Sequence, residues 1–497
     1  MSAIHDQAMN YVYQQVLHRL LGYFSRAERT ALQLFIQRLV IAAGGMERIG
    51  DYKVLVVQAG TRDSGYTLAF LRAAQLSIAA RAPSTFNLRI ATLRHAWMSP
   101  TALANVHRSY GALFVYDDPR VEVLMLDECN VLPFDHLTPI SDAGRERNRR
   151  NVLLSGHLSP GKKRSTFRDE YHLSMGDFYA VMTRWEGGVD TLVNADTPRE
   201  QRQYLSCFIS AAQRIGLSAQ GTSALDFDDL FRTLDEFGQD YYRELCAGND
   251  QEGLGIAARE ASRPVSYVGL HDLVGGNNYE ERWPLLSEFL GFQFDQFTSH
   301  VGESECASPL LLAHMRGLQA QFVRGRGYDE GIAEYLQRVS VLMRKKNLPD
   351  KVVEQALHAY SSPDRIEERR ALANAYVRQT LGLNEAQLVC LLFSPFVSEG
   401  AGLEDFLRRC HPGMLVAIPE LHKALRTQSA PEQVMQWMVD VSGLPVSVLG
   451  KLYTMRQEGV DDEASFDVDD PDQCREGLLI LDSGGVTTES QRDVEGV

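Results

Sequence analysis

What the chain lacks narrows it first. Its 497 residues contain no run of about 18 apolar residues, so no membrane-spanning helix is expected. Cysteine is sparse. Cys129, Cys207, Cys246, Cys306, Cys390, Cys410 and Cys474 are scattered and form no C-x-x-C, which argues against a disulfide framework and a Cys-rich zinc site. The 13 histidines include no H-E-x-x-H, and no cofactor or metal is expected. The stretch from Met1 to Tyr11 is not a basic segment followed by an apolar one, so no secretory leader is read and a reducing, cytosolic setting is the expectation. No repeat of fixed period occurs. Lysine is scarce too, 8 against 42 arginines, and arginine is the better bidentate partner for phosphate.

The net charge of −15 is unevenly spread. Gly459–Val497 holds 12 acids and 2 arginines, a charge of −10, which leaves −5 for the other 458 residues. The acidic balance therefore belongs mostly to the tail, and it does not exclude a nucleic-acid partner for the body. The tail has one apolar island, Leu478–Leu481, and reads as a disordered segment with a short linear motif.

Residues 3–43 read as two helices. Ser25 and Glu28 spell a capping box between them, and Gly44-Gly45 ends the second. Lys53–Val57 reads as a strand, Ser64–Ala82 as a helix, and Phe86–Trp97 as either. Ser99-Pro100 opens a helix, and the Asp118-Pro119 turn leads into the strand Val121–Leu126. Periodicity fails over Ser141–Glu170, a stretch rich in arginine and lysine that reads as a basic loop. From Leu173 onward the pattern is almost all helical. Helices are expected at Leu225–Cys246, Trp283–Val301, Pro309–Val323, Asp329–Lys346, Pro349–Tyr360, Pro363–Leu381, Glu385–Phe393 and Pro431–Val441, with Thr197 and Glu200 forming another capping box.

Two segments suggest chemistry. Val152–Lys163 nearly spells a phosphate-binding P-loop, with Gly156, Gly161 and Lys162 in place, and Val121–Glu128 resembles an acidic Mg²⁺-binding strand. Lys163 stands where the metal-binding Ser or Thr belongs, and the acidic strand comes before the loop. A nucleotide-binding enzyme with a degenerate P-loop at Gly156–Lys162 is thus an alternative reading, as is a cellular helical scaffold. The second segment is the helix 197–216. Arg199, Arg202, Gln203, Ser206, Ser210, Gln213 and Arg214 recur at steps of three or four, opposite Leu205, Phe208, Ile209, Ala212 and Ile215. After Glu200 that polar face has no acid, which suits a sugar–phosphate backbone and carries no base-reading signature. An ordinary solvated face has the same composition. Arg184 precedes this helix, and Arg316, Arg324, Arg326, Arg338, Arg344, Lys345 and Lys346 repeat the basic theme further on.

The order of these segments resembles the nucleoproteins of non-segmented negative-strand RNA viruses, of distant paramyxovirus and filovirus type. The resemblance rests on the strand Lys53–Val57, the helix after it, Ser99-Pro100, then Asp117-Asp118-Pro119 and the strand Val121–Asp127. It also rests on Ala195-Asp196-Thr197 leading into the arginine/glutamine helix. The family's groove lysine has no counterpart here, Asp190 lying near its place, and Cys410–Leu425 is only a loose analogue of the C-lobe pattern.

The resemblance implies a mainly α fold with two helical lobes, a few short strands in the N-lobe and an RNA groove between the lobes. The implied layout is an N-terminal arm at 1–45, an N-lobe at 46–335, a C-lobe at 336–440, a C-terminal arm at 441–458 and an acidic disordered tail at 459–497. It implies a structural protein, not an enzyme, that encapsidates single-stranded viral RNA without sequence specificity. Such a protein assembles into a helical homo-oligomer through its terminal arms and recruits a viral phosphoprotein or polymerase through the tail. Its place would be the virion nucleocapsid and the host cytoplasm or nucleus. The RNA contacts would fall on Arg184, Arg199, Arg202, Gln203, Arg214, Arg316, Arg324, Arg326, Lys345 and Lys346.

Overall fold

Alternation along the strands decides the architecture. In Lys53–Val57 (β1), Val54 and Val56 face one side while Leu55 faces the other, and all three are buried. A strand with both faces covered belongs in the middle of a sheet with helices on both sides. The computed structural model describes residues 3–158, 163–197, 200–201, 204, 265–274, 279–294, 308–345 and 348–455. It is mainly helical, with one mixed six-stranded sheet. The further strands are Asn87–Leu93 (β2), Val121–Asp127 (β3), Asn130–Pro133 (β4), Thr191–Asn194 (β5) and Ser266–Gly269 (β6). Their order is β4-β3-β2-β1-β5-β6, and every pairing is parallel except β3 with β4. Apart from the antiparallel β4 edge, this is the order of a doubly wound sheet, with its switch point between β1 and β5.

One face of the sheet is covered by Ala3–Tyr23 (α1), Arg26–Ala42 (α2), Arg62–Ala79 (α3) and Pro100–Ala112 (α4). The other face is covered by Asp142–Leu158 (α5), Lys163–Met182 (α6) and helices from the C-terminal part of the chain. The strands thus form one continuous layer, and the few short strands expected in the N-terminal part are a six-stranded mixed sheet. The expected lobe boundary at 335/336 falls inside the unbroken helix Tyr328–Lys345. Met1–Met455 forms one compact unit.

Local signals placed most of the elements. The Ser25–Glu28 capping box forms with both hydrogen bonds, at 2.8 and 3.2 Å. Ser99 caps α4 with Pro100 at its first position. The helices Pro363–Leu381 and Glu385–Phe393 begin and end where expected, each with a side-chain N-cap. The loop expected over Ser141–Glu170 is a correction: α5 and α6 occupy most of it. Its apolar periodicity is masked because Asn148, Asn151, Ser155 and His157 are buried on α5 beside Val152, Leu153 and Leu154. Buried polar side chains erase the pattern that marks a core-facing helix. Three more helices, Leu403–Cys410, Ile418–Thr427 and Val446–Thr454, were not anticipated. The expected helix Leu225–Cys246 lies outside the described residues, as does the tail beyond 455.

The segments expected as arms pack within the chain. Val16, Leu20 and Phe24 are buried, and the Tyr13 hydroxyl donates to the Asp117 carbonyl at 3.1 Å. At the other end Leu449, Leu452 and Tyr453 are buried, and Tyr453 Oη lies 2.9 Å from His422 Nδ1. On α2 the buried stripe is Ala31, Leu32, Phe35 and Leu39, whereas Leu34 and Ile41 remain exposed.

One close approach, at Gly331, shapes the packing of the helices Pro309–Leu318 and Tyr328–Lys345. A Cβ on Gly331 would stand 2.4 Å from the Arg316 carbonyl oxygen and 2.8 Å from Ala320 Cβ, so only glycine lets Tyr328–Lys345 cross Pro309–Leu318 this closely. The Gly331→Ala variant is expected to lose about 1–3 kcal/mol. The backbone clash outweighs the helix-propensity gain of roughly 1 kcal/mol. Its urea midpoint against wild type checks this.

Two buried histidines set the acid response. His157 is fully buried, and burial, opposed by a backbone hydrogen bond at Ser442, pushes its imidazole down to about 4. His314 is also pushed down to about 4, by burial first and then by Arg370, with Glu385 and Asn374 opposing. Asn374 Nδ2 donates to Glu385 at 2.6 Å, so its Oδ1 faces His314 at 3.2 Å and accepts from Nε2. That leaves His314 Nδ1 to accept from Tyr328 Oη at 2.8 Å. Both rings are neutral in the fold. Between pH 6.5 and about 4 the unfolded chain binds protons the folded one refuses, so stability falls with pH, at up to about 1.4 kcal/mol per pH unit for each histidine. The urea midpoint is therefore expected to drop from pH 7 to pH 5, and His157→Leu is expected to reduce that drop.

Candidate nucleic-acid interface

The arginine-rich stretch read from the sequence begins at Thr197, just past the end of β5, where the sheet reverses its winding. β5 ends at Asn194, next to the end of β1. The Thr197 amide donates to Glu200 Oε2 at 2.7 Å, and the Glu200 amide to Thr197 Oγ1 at 3.2 Å, so the capping box read from sequence forms. Tyr204 is buried against His172 and Tyr179 of α6, with ring centroids 5.1 and 6.3 Å away. The helix that leaves β1, α3, packs on the opposite face of the sheet. Chains that diverge to opposite faces from adjacent parallel strands open a crevice at their carboxyl ends.

A polar network fixes this start. Gln201 Nε2 donates to Tyr267 Oη at 2.6 Å and to the Asp196 carbonyl at 3.1 Å. The Tyr267 hydroxyl donates to Asn194 Oδ1, which also accepts from the Asp196 amide at 3.1 Å. Asn194 Nδ2 donates to Asp196 Oδ2 at 2.6 Å. The strand β6 brings Tyr267 to the end of β5 by parallel pairing. Sequence reasoning missed Asn194, Gln201 and Tyr267. The pairing joins segments more than 70 residues apart, and no local pattern reports it. On the β1 side Thr61 and Ser64 form a second capping box at the start of α3.

The basic residues expected at the RNA are distributed as follows. Arg199, Arg202, Gln203, Arg214 and Lys346 lie outside the described residues. Arg184 follows α6 at the amino ends of the strands, beside the turn Trp185–Gly187 whose Glu186 carbonyl accepts from Lys53 Nζ at 3.3 Å. The four residues of β5, about 13 Å at the usual rise, separate that edge from Thr197. Arg184 and Thr197 are therefore at opposite edges of the sheet. Arg316 is half-buried on Pro309–Leu318, its backbone against Gly331.

Arg324 and Arg326 are exposed and paired with acids. Arg324 lies 3.0 Å from Glu334, and Arg326 lies 2.7 Å from Glu330 and also contacts Glu334. Exposed pairs of this kind are worth under about 1 kcal/mol each, so a phosphate can displace the carboxylates. Lys345 ends the same helix that begins at Tyr328, 18 residues and about 26 Å away. Arg324 and Arg326 thus lie just before one end of this helix and Lys345 lies at the other.

The segment before the alternative P-loop is helical. A P-loop needs a strand, a loop and then a helix. Val152–Leu158 is the last part of α5, and Ser394 Oγ donates to the Gly156 carbonyl at 3.0 Å deep in the core. A Cβ on Gly156 would lie 2.8 Å from Leu391, so the glycine serves helix packing. Residues 159–162 lie outside the described residues. Among the described residues no group of three His, Cys, Asp or Glu side chains is placed to hold a metal ion, and no helix is long and apolar enough to cross a membrane.

Compared with family models, with curated proteins and with solved structures, the chain finds no match.

Proposed function

We propose that this chain is a structural RNA-binding protein that coats single-stranded RNA without reading its sequence, in the manner of the nucleoproteins its sequence resembles. One observation carries the reading. A stretch whose sequence pattern gives a polar face of arginines, amides and hydroxyls with no acid after Glu200 begins, at Thr197, on a hydrogen-bonded platform at the sheet's switch point. Phosphate and sugar contacts from such a face give affinity that every sequence shares and that salt weakens. Arg199, Arg202, Gln203 and Arg214 carry the first contacts. Arg316, Arg324, Arg326, Lys345 and Lys346 extend the basic surface, and Arg184 contributes from the opposite sheet edge. The chain performs no chemistry on the RNA.

Self-assembly belongs to the same reading. The N-terminal helices bury their inner stripes within the chain, so a neighbouring copy has the outer face of α2, with Leu34 and Ile41, as its docking surface, or exchanges α1 for its own. The acidic tail is the place for a phosphoprotein or polymerase partner, and the nucleocapsid in the virion and the infected cell is the setting.

The test is the absorbance ratio of the purified protein at 260 and 280 nm, before and after nuclease, with negative-stain images of the same sample. Co-purified nucleic acid and nuclease-sensitive helical or ring-shaped particles are expected. A protein-like spectrum together with no binding to two unrelated single-stranded RNAs overturns the reading.

A further inference from the structure

Two histidines meet face to face at the rim of α4. The rings of His107, on α4, and His136, in the segment after β4, lie 4.0 Å apart between centroids with planes 12° from parallel. His107 is exposed, and the His136 side chain keeps a quarter of its surface in water. His107 Nδ1 lies 2.9 Å from Tyr116 Oη, and His136 Nδ1 lies 3.8 Å from the Asp135 carboxylate. That carboxylate also holds the local turn, accepting from the Leu137 amide at 3.0 Å and from Thr138 Oγ1 at 3.1 Å. Beneath the stack Phe134 is buried, its ring edge-on to Tyr110 at 5.0 Å. The stack and Phe134 together fasten residues 134–138 onto α4.

The charges around the pair make this fastening sensitive to acid. Asp135 faces both rings and offsets one positive charge. Arg108, one residue along α4 and anchored on the Gly291 carbonyl at 2.7 Å, adds to the repulsion of a second. The Tyr116 phenol is the remaining titratable group, and burial holds it protonated up to about 12, so it contributes no charge. Two neutral rings stack favourably, and one imidazolium against one neutral ring is accommodated by Asp135. Two imidazoliums face to face leave one charge without a counterion, at a separation where like charges repel even through water.

We propose that the His107–His136 stack is an acid-operated latch that holds residues 134–138 against α4 with at most one proton on the pair, and opens when both rings are protonated. Opening uncovers Phe134 and Tyr110 next to Tyr116, Leu132 and Leu137, which are already exposed, and so enlarges one aromatic surface on acidification. The titration of His107 follows the same logic: burial, then His136 and Arg108, push its imidazole down, while Asp135 pulls it up.

The experiment uses the full chain labelled with ¹³C at the histidine Cε1 positions and titrated by NMR from pH 8 to 4.5. The expected result is two separate steps for the pair, and an upward shift of the His107 midpoint in His136→Gln. In parallel, exchange of the Phe134 and Thr138 amides, which bond to the Val123 and Asp135 carbonyls, is followed against the intrinsic rates. It is expected to quicken about five-fold from pH 7.5 to 5, the factor that screened repulsion at about 4 Å supplies, and to stay flat in His107→Gln. Should His136→Gln fail to fold, the His107 midpoint in His136→Asn gives the same reading. Unchanged midpoints in the variants, or equal exchange in wild type and His107→Gln, overturn the latch.

Discussion

Asp118→Asn is expected to cost about 3–5 kcal/mol of stability, the largest effect of any single substitution considered for this fold, because it strands a buried arginine. Arg72 and Asp118 are both fully buried and lie 2.8 Å apart. Asp118 also accepts from Arg120 Nε at 2.8 Å, Arg120 Nη2 at 2.7 Å and the Arg120 amide at 3.0 Å. Arg72 completes its bonding on Gln75 Oε1 at 2.6 Å and the carbonyls of Leu113 and Phe114. The ring of Tyr13 from α1 closes the cluster, with both guanidinium carbons 5.2 Å from its centroid. The cluster thus ties α1, α3 and the entry to β3 together. Replacing the carboxylate leaves the Arg72 charge in a dry interior without its counterion. The double variant Arg72→Met with Asp118→Leu is expected to recover much of the loss, since a well-packed apolar pair replaces a buried ion pair at little cost.

The pH dependence follows from the same contacts. Burial raises the Asp118 carboxyl, but the hydrogen bonds and charges of Arg120 and Arg72 outweigh it and hold the group below its ordinary value. Its stabilisation is therefore complete above about pH 4 and is lost as pH falls through the depressed value. Urea midpoints of the wild type and both variants at pH 7 and pH 3.5 measure this. A single variant with the wild-type midpoint contradicts the account of the cluster.

Asp118 also shows what the sequence could convey. Asp118-Pro119 was legible as a turn before a strand, since Pro fixes its own backbone and Asp caps turns. Its bond to Arg72, 46 residues earlier, was not. The same contrast runs through the chain. Ser25, Ser99, Thr197 and Asn384 act on amides three residues away, so their helix starts were readable. The pairing of β5 with β6 and the switch point it helps to build depend on contacts between segments more than 70 residues apart, and no spacing announces them. α5 was hidden for a different reason. Its Asn148 side chain caps the Ala96 amide at 2.9 Å, and Arg147 bonds Asp177 at 2.9 Å and Cys129 Sγ at 3.0 Å, so polar residues occupy the inner side of a helix expected to bury apolar ones.

Within the candidate interface, the capping box was legible, and so was the composition of the face that follows it. The platform of Asn194, Gln201 and Tyr267 was not, because it is assembled from two strands and a helix end. Nor was the separation of Arg184 from Thr197, which follows only from the direction of β5. Arg324 and Arg326 looked like free cations in a linear count. In the fold Glu330 and Glu334 lie one and two turns into the next helix and meet them.

The second large effect is expected from replacing Arg199, Arg202 and Arg214 together by alanine. If these three carry backbone contacts worth about 1 kcal/mol each, the triple variant loses affinity for single-stranded RNA on the order of a hundred-fold. The loss falls equally on unrelated sequences, because phosphate looks the same in all of them. The slope of log affinity against log salt becomes shallower by about 2, three contacts at roughly 0.7 each.

Fluorescence anisotropy with two unrelated single-stranded RNAs of equal length, titrated with wild type and triple variant between low and moderate salt, measures all three quantities at once. Circular dichroism of the variant confirms its fold. Tight, salt-sensitive binding of both RNAs by the wild type, and a parallel loss with a shallower slope in the variant, is the result expected of a sequence-independent RNA-coating protein. A wild type that binds neither RNA, or a folded variant with unchanged affinity and slope, contradicts it.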